Sequence, residues 1–134
     1  MDEPTMKIKY MKEAELTSVT FYAEVICDAP MVNLLALFSE SDLFNTWFPQ
    51  VTGCQNFHSV TTHRGLYVVQ QNMAWPVKPR DMIFSGSGVL DRKNRAVLTM
   101  LRTLEDDEMY FGVKTPKAAA GHVRLDVKRA YHYF

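Results

Sequence analysis

Four histidines, two cysteines and one Arg-Asp pair are the residues of this chain best suited to chemistry, and their spacing excludes most of it. His58, His63, His122 and His132 share no ligand spacing, and Cys27 and Cys54 form no Cys-x-x-Cys pair, so no metal site is expected. His63 falls in a turn and reads as solvated, whereas His58 is the histidine that could face a cavity. The two thiols read as reduced cysteines of a cytoplasmic protein, and no Asn-x-Ser/Thr acceptor is present. There is no GxSxG, HExxH, Walker glycine loop or GxGxxG. Gly86-Ser87-Gly88 sits inside a strand pattern and reads as a bulge or sharp curvature rather than a phosphate cradle. Arg80-Asp81 follows Pro76 and Pro79. Asp81 as a general base would need burial to raise its pKa. The favoured expectation is an ion pair or backbone-bonding device that pins the loop. No catalytic residue and no cofactor are therefore expected.

The elements that would position these residues follow from periodicity. Residues 7–11 alternate weakly, and residues 16–26 are rich in strand formers, among them Val19, Phe21, Tyr22, Val25 and Ile26. Asp28-Ala29-Pro30 ends that strand and opens a helix in which Met31, Leu34, Leu35 and Phe38 fall on one face. A second short helix is predicted over 41–47, capped by Ser41 or Asp42 and stopped by Pro49. Strands are predicted over 54–61, 66–74, 80–89, 95–104 and 110–113. A half-buried strand is predicted within 122–134, where Val123, Leu125 and Val127 alternate with Arg124, Asp126 and Lys128. Asp91-Arg92-Lys93-Asn94 reads as a turn. Trp47 and Trp75, each near a proline, read as core or loop anchors. Met73, Met82, Met100 and Met109 fall on strands and read as ordinary core ahead of a pocket wall. Strands in series with helices grouped in one place define an α+β chain.

Composition narrows the partners. The 134 residues suit one domain, and 15 Lys+Arg balance 15 Asp+Glu, which leaves no basic footprint for nucleic acid. The apolar fraction of 47% is enough for a core. The longest apolar run is residues 34–38, far short of a membrane span, and Met1-Asp2-Glu3-Pro4 lacks the build of a signal peptide.

Three words in order resemble the START (StAR-related lipid-transfer) domain family. The first is Asp28-Ala29-Pro30 leading into the helix, followed by Ser39-Glu40-Ser41-Asp42-Leu43-Phe44-Asn45-Thr46-Trp47-Phe48-Pro49. The most specific is Trp75-Pro76-Val77-Lys78-Pro79-Arg80-Asp81, similar to the family's WP(L/V)xxRD, and Val123-Arg124-Leu125 resembles its late VR strand. The match runs from about Leu16 to Phe134. It implies a helix-grip fold, in which a curved antiparallel sheet with two short helices after the second strand wraps a long C-terminal helix. It also implies a non-enzymatic protein that holds one phospholipid, sphingolipid or sterol in an apolar cavity and touches membranes transiently.

On that resemblance the expected cavity residues are Phe57, Tyr67, Val69, Gln71, Met73, Arg80, Phe84, Met100 and Val127. Sterol-carrying relatives pair an acid with an arginine on adjacent cavity strands. The matching positions here are Tyr67 and Gly86, which weakens a sterol assignment. Two other functions fit the same scaffold. A polyketide cyclase-type enzyme would need His58, Asp81 or Tyr67 in a polar pocket, and a regulatory module would bind protein partners. Against the family, residues 1–134 read as a single START-like domain lacking the grip helix. An uncovered groove would then favour self-association.

Overall fold

The computed structural model describes residues 6–12 and 18–134. Met1-Asp2-Glu3-Pro4 and Leu16, where the second strand was expected to begin, lie outside the described residues. Two compact units divide the chain, Met1–Leu34 and Leu35–Phe134. In the first, β1 (Lys7–Lys12) pairs antiparallel with β2 (Val19–Glu24), from Lys7 opposite Glu24 to Lys12 opposite Val19. An exposed ion pair joins Lys7 and Glu24 at 3.3 Å. Helix α1 (Met31–Ser39) starts where the Pro30 carbonyl accepts the Asn33 and Leu34 N–H groups, and the boundary between the units falls within it.

The second unit continues with a 3₁₀ turn (Ser41–Leu43) and α2 (Phe44–Trp47). Neither takes a side-chain cap. Neither expected cap residue, Ser41 or Asp42, caps a helix, and Ser41 is buried. A sheet follows in the order β10-β6-β5-β4-β3, built from β3 (Val51–Thr61), β4 (Arg64–Gln71), β5 (Arg80–Asp91), β6 (Ala96–Thr103) and β10 (Ala130–Tyr133). All neighbours on this path are antiparallel. The Asp91–Asn94 turn forms as expected, with Asp91 Oδ1 accepting the Asn94 N–H at 3.1 Å. The glycines of 86–88 do not make a bulge, because the register of β5 runs unbroken through them on both sides. The irregularities lie in β3, at Val51/Gly53, Asn56/His58 and Ser59/Thr61. No helix among the described residues is long and apolar enough to cross a membrane.

The expected late strand is split. After β6 the chain leaves the sheet at Leu104, whose N–H bonds the Ile83 carbonyl at 2.8 Å. It makes a tight hairpin of β7 (Met109–Tyr110) and β8 (Val113–Lys114), not one strand, because Phe111 and Gly112 turn at φ 47° and 80°. It returns as β9 (Val123–Arg124), parallel to the start of β5, clasps Thr103 through Val127, and only then pairs with β6 as β10. Alternation continues across 123–127, but the chain changes partner strand partway along.

Strand parity divides the side chains of the sheet. Leu66, Val68, Asp81, Ile83 and Ser85 share the face covered by residues 104–129, where Leu66, Ile83 and Leu104 form the buried cluster. Arg124 closes this cover. Its Nε lies 3.2 Å from Asp81 Oδ1, its Nη2 lies 2.9 Å from Asp106 Oδ1 and also donates to the Pro116 carbonyl, and Asp81 Oδ2 accepts the Ala119 N–H at 2.9 Å. Asp81 is an ion-pairing and backbone-bonding residue, but the segment it holds is 104–129 and not the expected proline loop, which Arg80 contacts through the Lys78 carbonyl. Removing one partner of a buried ion pair leaves the other charge stranded. Asp81→Ala should therefore cost about 3 kcal/mol of unfolding free energy in chemical denaturation. Asp106→Ala, at the half-exposed end of the network, should cost under about 1 kcal/mol. Equal losses would contradict this account.

Candidate functional site

The other face of the sheet carries the candidate site. Cross-strand partners share a face, so β4 and β5 bring Gln71 and Arg80, then Val69 and Met82, then Tyr67 and Phe84, into successive rows. The rows continue through Gly65 and Gly86 with Leu101 and Ala130, and through Gly88 with Thr99 and His132. From Arg80 to Gly88 this strip runs ~27 Å along β5.

Aromatic packing fills its middle. Tyr67 and Phe84 stack with ring centroids 5.2 Å apart and planes at 21°. The Tyr67 ring lies close over Gly65, where an added Cβ would sit 3.2 Å from its hydroxyl and 3.3 Å from Cε2. At Gly86 an added Cβ would crowd Leu101 Cδ2 on the neighbouring strand at 3.2 Å, while Tyr67 Cε2 lies at an ordinary 3.4 Å. Burial pushes the Tyr67 phenol up. Beside it on β3, burial pushes the Cys54 thiol up to about 11, against hydrogen bonds from Ser41 and the Gln55 backbone.

The two ends of the strip are polar. At one end Gln71 and Arg80 flank the loop of residues 72–79, and Arg80 donates to the Lys78 carbonyl at 3.1 Å. In that loop Trp75 is 92% exposed, and Met73 and Val77 are exposed with it. Trp75 is thus not the core or loop anchor its neighbouring proline suggested. Trp47 packs only on its chain neighbours Phe44 and Phe48, at 5.5 and 5.4 Å, and is itself 38% exposed, so it is not a core residue either. At the other end Thr99 Oγ1 and His132 Nδ1 share a hydrogen bond of 3.0 Å, and the imidazole packs 5.1 Å from the Phe38 ring. Burial pushes the His132 pKa down.

Of the nine expected cavity residues, the register gathers Tyr67, Val69, Gln71, Arg80 and Phe84 on this strip. Phe57 sits in a register shift of β3, and Met73 lies beyond the end of β4. Val127 is outside the strands, holding Thr103 through its backbone. Met100 belongs to the opposite face, because its partners are Ser87 and Tyr131. The four strand methionines therefore form no common wall: Met82 and Met100 take opposite faces, and Met73 and Met109 are exposed. His58 does not face the strip either, since the shift after Asn56 pairs it with Leu66 on the covered side. Cys54, Met82, Leu101, Thr99 and His132 were missed. Their signal was strand parity, legible once one register was fixed.

This sheet is similar to two solved structures. One is the STAR-related lipid transfer protein from Xanthomonas axonopodis, with a TM-score of 0.75 at 17% identity, covering 99% of this chain and 68% of that one. The other is the human StarD13 (DLC2) lipid transfer and protein localization domain, with a TM-score of 0.73 at 16% identity, covering 96% of this chain and 63% of that one. No family model and no curated protein matches. The chain has the START-type helix-grip fold: a mostly antiparallel sheet with two short helices.

Two outcomes follow from the buried groups. A thiol raised to about 11 is roughly one part in a thousand thiolate at pH 8. Cys27 is exposed, so a thiol reagent at that pH should label Cys27 and spare Cys54 in the folded chain; equal labelling would contradict the burial. For His132 the folded pKa lies below the unfolded 6.5, so the unfolded chain binds the extra proton. Stability from this group is full above 6.5 and declines as the pH falls below it. His132→Gln should flatten the dependence between about pH 7 and 5 in thermal unfolding; an unchanged slope would contradict the assignment.

Proposed function

We propose that this chain binds a single lipid along the strip from Arg80 to Gly88 and exchanges it with membranes. The observation that carries this function is the chemistry of the strip. Val69, Met82, Tyr67, Phe84 and Leu101 run along it, Asn56 and Thr103 stand at the margins of the Tyr67–Phe84 row, and Gln71, Arg80, Thr99 and His132 stand at the two ends. An acyl chain laid along Val69, Met82, Phe84 and Leu101 gains ~25 cal/mol per Å² of apolar surface removed from water. Gln71 and Arg80 then meet a polar head group at the loop end. Likeness in fold to the two lipid transfer domains supports the same function. Tyr67 lying over Gly86 leaves no acid–arginine pair for a sterol hydroxyl, so a phospholipid or sphingolipid fits better.

The loop of residues 72–79 supplies the membrane contact. An indole that is 92% exposed beside Val77 and Lys78 suits the interface between head groups and acyl chains. The unpaired thiols suit a reducing, cytoplasmic setting. An enzyme of the cyclase type is less well supported. Asp81 is 3% exposed and held by Arg124 on the covered face, His58 pairs on that face too, and only Tyr67 reaches the strip.

Vesicle-to-vesicle exchange of fluorescent phosphatidylcholine and ceramide tests the function. The wild-type chain should accelerate exchange. Phe84→Arg should abolish it by placing a charge mid-strip, and Trp75→Ala should slow it without reducing lipid bound from micelles. No exchange and no bound lipid with the wild-type chain would sink the function.

A further inference from the structure

We propose that the sheet carries a second, separate site on its covered face: an anion site for a phosphate monoester, formed by Arg64, Arg102 and Arg129. A depression of about 270 Å³ opens there, between the sheet and the 104–129 cover, and these three arginines line it with Ser85, Ser87 and Tyr131. No carboxylate lines it.

The register explains why the charges converge. Arg64, Ser87, Met100 and Tyr131 form one row across four strands. In the next row Ser85 faces Arg102, and Arg129, one step before the Ala130–Leu101 pair, falls beside Arg102. Arg102 on β6 and Arg129, just before β10, thus occupy neighbouring positions, Arg64 stands on the diagonal, and all three line the same depression. Like charges opposed across strands destabilise a sheet. A chain of zero net charge, with 15 acids to place, opposes this cluster with one carboxylate, Glu108, at 3.0 Å from Arg102. Among the described residues Arg129 has neither an ion pair nor a side-chain hydrogen bond, and Arg64 meets only the Phe111 ring at 5.8 Å.

A bound dianion relieves that repulsion. Guanidinium forks match phosphate oxygens two at a time, and the Ser87 and Tyr131 hydroxyls add donors at the rim. Ser85 is committed to Tyr110, sharing a hydrogen bond of 2.6 Å, which fixes the floor. The site lies across the sheet from Tyr67 and Phe84, so it does not depend on lipid binding there.

Titration of the full chain with inorganic phosphate, followed by amide NMR at constant ionic strength set with chloride, tests the site. Saturable shifts are expected at Ser85, Ser87, Met100 and Arg102. Arg64→Gln/Arg129→Gln should weaken binding by at least about tenfold, with the spectrum away from the depression unchanged as a control of folding. Arg64→Lys/Arg129→Lys, which keeps the charge and loses the forks, should fall between. Sedimentation with phosphatidylcholine vesicles, with and without phosphatidate, separates the sources. Phosphatidate-dependent binding lost in the Gln variant assigns a lipid head group, and phosphate shifts without vesicle binding assign a soluble phosphate monoester. Shifts that do not saturate, or that survive the double Gln substitution undiminished, overturn the proposal.

Discussion

The Asp81–Arg124 ion pair is the constraint on which the rest of the second unit depends. Asp81 is 3% exposed, and Arg124 turns its guanidinium between Asp81 and Asp106. The Nε–Oδ1 approach at 3.2 Å is off hydrogen-bond alignment, and Arg124 Nη1 has no partner. Such a pair contributes less by its own attraction than by the cost of any arrangement that separates it. It holds β9 in parallel register with the start of β5, an edge position that β6 leaves vacant below Phe84. Residues 104–129 thereby cover one face of the sheet and bury Leu66, Ile83 and Leu104 beneath it.

Closing one face with a loop leaves the other to a different chemistry. At the strip's ends Arg80 and His132 are satisfied by loop backbone and by Thr99, and Tyr67 and Phe84 stack in the middle with Asn56 and Thr103 flanking them. Glycine at 65 lets the Tyr67 ring lie close on the strand, and glycine at 86 leaves room for Leu101. Three groups of this unit are engaged in structure: Cys54 is half-buried with its thiol raised, Asp81 is ion-paired, and His132 is desolvated against Phe38.

Much of this was legible in the sequence, and the failures have physical causes. The start of α1 and the turn at Asp91–Asn94 followed from local signals, side-chain period and Asx geometry, whereas the partners of Asp81, Arg124 and Ala119, lie far along the chain and were not legible. The split of 122–134 into β9 and β10 was hidden, because alternation reports which side chains are half-buried and not which strand they pair with. Met100 was misplaced for the same reason; only its pairing with Ser87 fixes its face. Gly86-Ser87-Gly88 reads in sequence as a bulge or sharp curvature; the contact that crowds Gly86, Leu101 Cδ2, lies on the neighbouring strand and is invisible to local pattern. Residue type and a neighbouring proline suggest an anchor at Trp75, whereas the loop leaves it 92% exposed.

The central claim is that the strip from Arg80 to Gly88 holds one lipid. Native mass spectrometry of the chain purified from cells tests it most directly. The account predicts a one-to-one adduct with the mass of a phospholipid or sphingolipid, absent from Phe84→Arg prepared in the same way. A wild-type chain that flies bare under conditions gentle enough to keep lipid complexes intact, or an adduct equally present in Phe84→Arg, would contradict it.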